Sequence, residues 1–327
     1  MKCTPTATAA AALVIGAMIA PSAAGATTLR LSHESPESHA KGAWANWFAD
    51  AVEAGSDGEI TVDVFHHGQL YESEQAAIEA AIGGLIDIAI PSTGYMSSIV
   101  PEFEVVDLPM MFADQEALYR FQDGELGQEL LGMVEERGLV GLGYISNVPL
   151  DLFSKEPISS LEDFQGKRIR AHSAVLENTV SALGGNPVSM RASELYLALE
   201  QGIVGGAFTT VSFAAPNEYH EVTPYMTAVA VSAIAYPVVI NAGTLEGLSE
   251  EMQVVIRDAA AEATRRNREA LAEQSEGHVQ SLVDGGIEII TLDAEERARW
   301  QEQLEAVYED VAERVDPELI ERIRNID

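Results

Sequence analysis

Between Ser249 and about Asp284 the chain carries a single glycine, Gly277, and no proline. Met252, Val255, Ile256, Ala259, Ala260 and Ala263 mark one helical face, and Leu271, Val279, Leu282 and Val283 continue the apolar positions. One helix of that length is roughly 50 Å long at a rise of about 1.5 Å per residue, against about 30 Å for a small domain. It must then run across two bodies. The other reading is two helices broken near Gly277, and the sequence leaves both open. The 327 residues are enough for two domains with full cores.

Residues 1–26 read as a separate leader. Lys2 is its only charge, Ala7 to Ala20 is mostly apolar, Pro21 interrupts the run, and Ala24-Gly25-Ala26 fits an export cleavage site, with cleavage expected after Ala26. The apolar run is shorter than the roughly 20 residues of a bilayer span. Cys3 is the only cysteine and precedes that run, so the exported chain has neither a disulfide nor a thiolate to use. A soluble exported protein is the expectation.

Asp and Glu total 52 against 19 Lys plus Arg, a formal charge of −33. Phosphate backbones need clustered positive charge, so nucleic acid is excluded as a partner. The acids are spread along the chain and read as a solvated surface suited to a salty medium, where a Debye length of about 3 Å at 1 M screens self-repulsion.

Thr28–Ser32, Ile60–Phe65 and Leu85–Ile90 read as strands, with helices between them around Trp44–Val52 and Ser73–Ala81. Strand, helix, strand, helix, strand implies parallel pairing, with ligands held off the carboxyl ends of the strands. Those ends carry Glu34, Gln69, and Ser92 with Tyr95. Leu139–Ser146 closes this first αβ lobe. A second unit follows: a strand holding Arg170, a helix near Ser173–Leu183, a turn at Gly184–Pro187, a helix Ala192–Gln201, and a strand Ile203–Thr210. Tyr225–Asn241 supplies one or two strands crossing back. The expected fold class is α/β with two lobes: 27–150, completed by about 235–270, and 151–234, completed by about 271–327.

In Ser160–Ala171, SLEDFQGKRIRA, Gly166 punctuates the chain before Lys167-Arg168-Ile169-Arg170. An arginine where a strand gives way to a loop can present a bidentate fork to a carboxylate, which lysine cannot copy. Read locally, both arginines could equally be surface residues paired with nearby acids. The histidines form no metal signature: His66 and His67 are adjacent on a strand end, and His33 and His39 have no HExxH pattern. Ser92 lies in IPSTGY, not a GxSxG elbow, and Gly138, Gly141 and Gly143 do not open a helix as a dinucleotide fingerprint would. No metal, cofactor or nucleophile with a base is indicated.

Six stretches, FHHGQL, LIDIAI followed by PSTG, FEVVDLPMMF, SSLEDFQGKRIRA, LGGNPVSM and SELYLALEQGIV, carry a resemblance along essentially the whole exported chain. In this order and spacing the protein resembles the solute-binding proteins of tripartite ATP-independent periplasmic (TRAP) transporters, the DctP-type family. The resemblance implies two lobes joined by hinge strands, a long bridging helix, closure around one small organic acid, and delivery to the small and large membrane subunits of a TRAP transporter. It places the carboxylate-binding arginine on Arg170. Where the family often has an asparagine after the helix matching SELYLALE, this chain has Thr209, whose hydroxyl donates a different pattern. Many members also have an arginine in the strand ending lobe one, and none stands between Arg137 and Arg168 here. The expectation is therefore a monocarboxylate with an apolar or aromatic body, set against Phe208, Phe213, Tyr95 and Tyr144. The candidate ligand set is Arg170, Thr209, Glu34, Gln69, Ser92, Tyr95, Asn147, Phe208 and Phe213. A secreted enzyme acting on small acids through groups such as Glu34, and a ligand-sensing module on the same fold, are the alternatives.

Overall fold

A computed structural model describes Met1 and residues 26–326; the leader reading falls on residues outside that range, apart from its two ends. Its strands are β1 (Thr27–Ser32), β2 (Ile60–Phe65), β3 (Ile88–Ala89), β4 (Leu139–Ser146), β5 (Asp151–Ser154), β6 (Arg168–Ala171), β7 (Asn186–Ser189), β8 (Gly206–Thr209), β9 (Tyr225–Ala228), β10 (Ala235–Asn241) and β11 (Glu288–Thr291). They form two sheets, ordered β2-β1-β3-β10-β4 and β11-β9-β5-β8-β6-β7. β1 pairs in parallel with β2 and β3, as the strand-helix alternation requires, and β10 enters antiparallel between β3 and β4. The apolar stretch Tyr225–Asn241 is thus two strands, β9 in the second sheet and β10 in the first. The fold is α/β and two-lobed.

Two local readings are corrected. The third strand is only Ile88–Ala89, because the amides of Leu85 and Ile86 bond back to the Ala80 carbonyl and finish the preceding helix. Asn186-Pro187, read as a turn, begins β7; this is an edge strand, where proline's missing N–H leaves no gap inside the sheet.

The long helix is continuous from Glu250 to Asp284, with Ser249 Oγ accepting the Met252 amide at its start. Ile256, Ala259, Ala260 and Ala263 pack into the first core beside Trp44 and Phe48, whose rings stack at 5.0 Å. Trp44 Nε1 donates to Thr264 Oγ1 at 3.1 Å. At the far end Leu282 and Val279 join a second core with Phe153, Leu195 and Tyr219. One helix therefore serves both lobes. The helix Ala294–Val311 packs on the helix Ala174–Ala182, and Trp300 meets Phe164 edge-on at 5.5 Å.

Gly277 lies inside this helix, and a Cβ there would meet nothing within 4 Å. Gly277→Ala is expected to stabilise the protein by about 0.5–1 kcal/mol, because alanine is the better helix former and loses less backbone entropy. Chemical denaturation measures this. A loss of stability would show that the helix does not run unbroken through residue 277.

Candidate functional site

A cavity opens between the lobes at the carboxyl ends of the first-sheet strands. Glu34, Glu72, Glu74, Ser92, Tyr95 and Tyr236 line it from the first lobe, and Arg170, His172, Arg191, Phe208, Thr209 and Phe213 from the second. Arg170 is at the centre of its chemistry. The local sequence left it open whether this arginine is a paired surface residue, and the structure decides that it is not. β6 carries it inward, buried, in parallel register with Ala207 of β8, whereas Arg168 two residues earlier is exposed and bonds the Gly202 carbonyl. Nε of Arg170 donates to the Met190 carbonyl at 3.1 Å, and Nη1 lies 3.4 Å from His172 Nδ1. Burial, with Arg170 beside it, pushes His172 down to about 3, so the ring is neutral and Nδ1 can accept. Neither of these partners is an acid. Burial lowers the arginine's own pKa and outweighs the opposing pull of Tyr95, Tyr219, Glu74 and Glu34, and among the described residues no acid forms a salt bridge with the guanidinium.

The opposite wall is ionic and belongs to the first lobe. Lys41, fully buried, donates to Glu34 at 2.9 and 3.1 Å and to Glu74 at 2.9 Å, and its ammonium sits 4.4 Å from the centre of the Tyr236 ring. Glu74 Oε2 also accepts from the Ser92 amide at 2.5 Å and from Ser92 Oγ at 2.9 Å. Burial alone would raise Glu34, but the Lys41 charge and a hydrogen bond donated by the protonated form of Glu74 hold it well below the usual carboxylate range. Burial, then the Glu34 charge, pushes Glu74 up to about 7. One cation thus faces two carboxyls, and the second ionises with difficulty.

Seven of the nine candidate residues line the cavity: Arg170, Thr209, Glu34, Ser92, Tyr95, Phe208 and Phe213. Gln69 is exposed outside it. Asn147 is buried behind the wall, where its amide nitrogen donates to Ser212 Oγ at 2.8 Å and to Tyr236 OH at 3.0 Å, tying the second lobe to the first. Tyr144 points elsewhere and donates to the Gly127 carbonyl at 2.8 Å. Lys41, Glu74, His172, Tyr236 and Arg191 were missed. Lys41 did carry a signal: it stands in the first turn of the helix Ala40–Gly55, where the helix dipole disfavours a cation. Glu74 carried none, since an acid at a helix start is ordinary. Arg191 is a second cavity arginine that a search of the first lobe could not find. It is held by Glu194 at 2.6 Å and lies 3.9 Å from Glu72 across the cleft.

Residues 31–314 match the family model described as bacterial extracellular solute-binding protein, family 7. The chain belongs to this family. The DctP C4-dicarboxylate-binding periplasmic protein of Rhodobacter capsulatus is 32% identical over 311 residues, 94% of this chain and 93% of that one. A TRAP periplasmic solute-binding protein of Sulfurospirillum deleyianum, solved with bound succinate, superposes with a TM-score of 0.88 at 31% identity, covering 93% of this chain and 100% of the other. The sugar acid binding protein DctPAm of Advenella mimigardefordensis, in complex with galactonate, gives 0.89 at 26% identity, with 92% and 98% covered. As a family 7 protein the chain is a solute receptor rather than an enzyme. The named ligands of these relatives do not support an apolar-bodied monocarboxylate.

The lobes touch beside the cavity at Gly94, where an added Cβ would lie 2.7 Å from Asp107 Oδ2 and 2.7 Å from Ser173 Cβ of the other lobe. Gly94→Ala is expected to force the lobes apart and weaken ligand binding by tenfold or more, roughly the 1.4 kcal/mol that one clash of this kind exceeds. Titration calorimetry gives the affinity and small-angle scattering the opening; unchanged values of both would show that the contact does not govern closure.

Proposed function

We propose that this chain is the periplasmic solute receptor of a TRAP transporter, enclosing a small organic acid between its lobes and handing it to the transporter's small and large membrane subunits. The observation that carries the reading is Arg170, a buried guanidinium whose recorded partners are a carbonyl and a neutral histidine. A carboxylate supplies what that site lacks, through charge-assisted, bidentate bonds. Because Arg170 belongs to one lobe and the acidic wall to the other, a ligand spanning both is held fully only when the cleft is shut, so affinity drives closure.

The ligand class is a C4-dicarboxylate or a sugar acid, as the ligands named for the relatives suggest. A second observation favours the sugar acid. Glu34 and Glu74 offer acceptor oxygens to the cavity, which suit hydroxyl donors better than a second carboxylate. Phe208 and Phe213 then flank the carbon chain instead of defining an apolar pocket. Export to the periplasm, the location named for the Rhodobacter capsulatus relative, is what the reading of residues 1–26 as a leader calls for, and among the described residues no helix is long and apolar enough to cross a membrane.

Thermal unfolding against a panel of dicarboxylates, sugar acids and simple monocarboxylates tests the reading. A ligand at about 100 times its Kd adds ~2.7 kcal/mol of stability. Arg170→Ala is expected to abolish that gain while leaving the ligand-free protein no less stable, since the substitution removes a buried charge that makes no salt bridge and whose desolvation outweighs the pull of the acids across the cleft. A gain that persists in the variant would remove Arg170 from the site. No response to any acid, after refolding free of carried ligand, would overturn the receptor reading.

A further inference from the structure

We propose that Glu74, held between Lys41 and Ser92, is the residue by which this cavity reads the far end of its ligand, carrying a proton opposite an anionic group and giving it up opposite a hydroxyl. The inference rests on the receptor reading above and adds to it how one site accommodates the two acid classes.

The geometry supplies each part. Glu34, Lys41 and Glu74 form one hydrogen-bonded cluster with a formal charge of +1 − 1 − 1, or −1, when both acids are ionised, and of zero with one proton added. Both carboxyls line the cavity, whereas Lys41 lies behind them and acts only through them and the Tyr236 ring. Arg170 balances the first carboxylate of a ligand. Arg191, the cavity's other arginine, is held by Glu194 at 2.6 Å and lies 3.9 Å from Glu72, so a second carboxylate brought against the cluster adds a charge that no cation lining the first-lobe wall offsets. Taking a proton from solvent onto Glu74 restores the balance. The proton has acceptors in reach: Glu34 beside it, and Ser92 Oγ, which now donates to Oε2 at 2.9 Å and can rotate its hydroxyl hydrogen to accept instead, while the Ser92 amide goes on donating to the same oxygen. A ligand hydroxyl needs the reverse, an ionised carboxylate to donate to.

Glu74 is the member of the cluster free to do this. Lys41 keeps Glu34 ionised, while burial and the Glu34 charge bring Glu74 up to about 7, where a neighbouring charge tips it either way. The groups around the cluster do not titrate in that range. Burial pushes His33 and His39 down to about 3 and raises Tyr95 to about 12 and Tyr236 beyond the usual phenol range, while Arg170 stays cationic. Asp107 is also pushed up to about 7 by burial. It bonds Thr93 at the lobe contact and does not line the cavity, so it contributes the same proton change for either ligand.

The signs follow by linkage. A complex that binds more protons than the free protein tightens as the pH falls through about 7, and one that binds fewer tightens as the pH rises through it. Calorimetry at pH near 7 in buffers of different ionisation enthalpy counts these protons. Succinate is expected to bind with uptake of a fraction of a proton, on the order of one half, and galactonate with release of a similar fraction. In Glu74→Gln the two counts should become equal. Equal counts in the wild type, or a difference that survives Glu74→Gln, would overturn the proposal. If neither acid binds the wild type, the receptor reading for these acids fails on its own account. Carbon-13 NMR of the Glu74 carboxyl in the ligand-free protein then still decides the proposal, which a midpoint in the ordinary carboxylate range would overturn.

Discussion

The structure turns on a positive charge taken out of water and left without an acid. In a chain with 52 acids and 19 lysines and arginines, a guanidinium that wants a carboxylate has no shortage of them. Its strand delivers Arg170 into the cleft and ties Nε to the Met190 carbonyl, so that among the described residues it makes no salt bridge and the nearest acids, Glu34 and Glu74, stay on the opposite wall. Desolvating an unpaired charge costs several kcal/mol, and that cost is lifted only when an anion enters. The rest of the second lobe can be understood as the frame that keeps the fork aimed and dry.

Lys41 shows the opposite treatment of a buried cation. It has two carboxyls and an aromatic face, and none of its three protons is left over for a ligand. One lobe therefore presents a cation without a salt bridge, the other a satisfied ammonium behind two carboxyls that line the cavity. The asymmetry gives the ligand a direction: carboxylate toward the second lobe, donors toward the first.

The two-lobed plan was legible because its signals are long. A helix too long for one domain and a strand-helix alternation bounded by glycines both survive local error, and Ser249 and Ser173 mark helix starts at which the structure shows capping hydrogen bonds. The site was legible where a residue sat at a strand end, as Arg170, Ser92 and Glu34 do. It was illegible where function depends on burial. Nothing in the local sequence distinguishes Glu74 from the many acids that merely begin helices; at a promising strand, Tyr144 bonds the Gly127 carbonyl instead of lining the cavity, and Asn147 supports the wall from behind through Tyr236. The expected apolar pocket failed for a related reason. Aromatic residues were counted without the carboxyls that stand opposite them, and the second arginine came from the other lobe.

The first sheet is interrupted by the chain's own order. β10, residues 235–241, lies between β3 and β4, so no ribosomal product shorter than about 241 residues can assemble that sheet, however complete its first 146 residues are. Pairings so distant in sequence form slowly. A nascent chain of this protein thus stays open through most of its synthesis, and neither lobe can be excised as a contiguous fragment; the topology that lets two lobes hinge also delays the moment at which either becomes one.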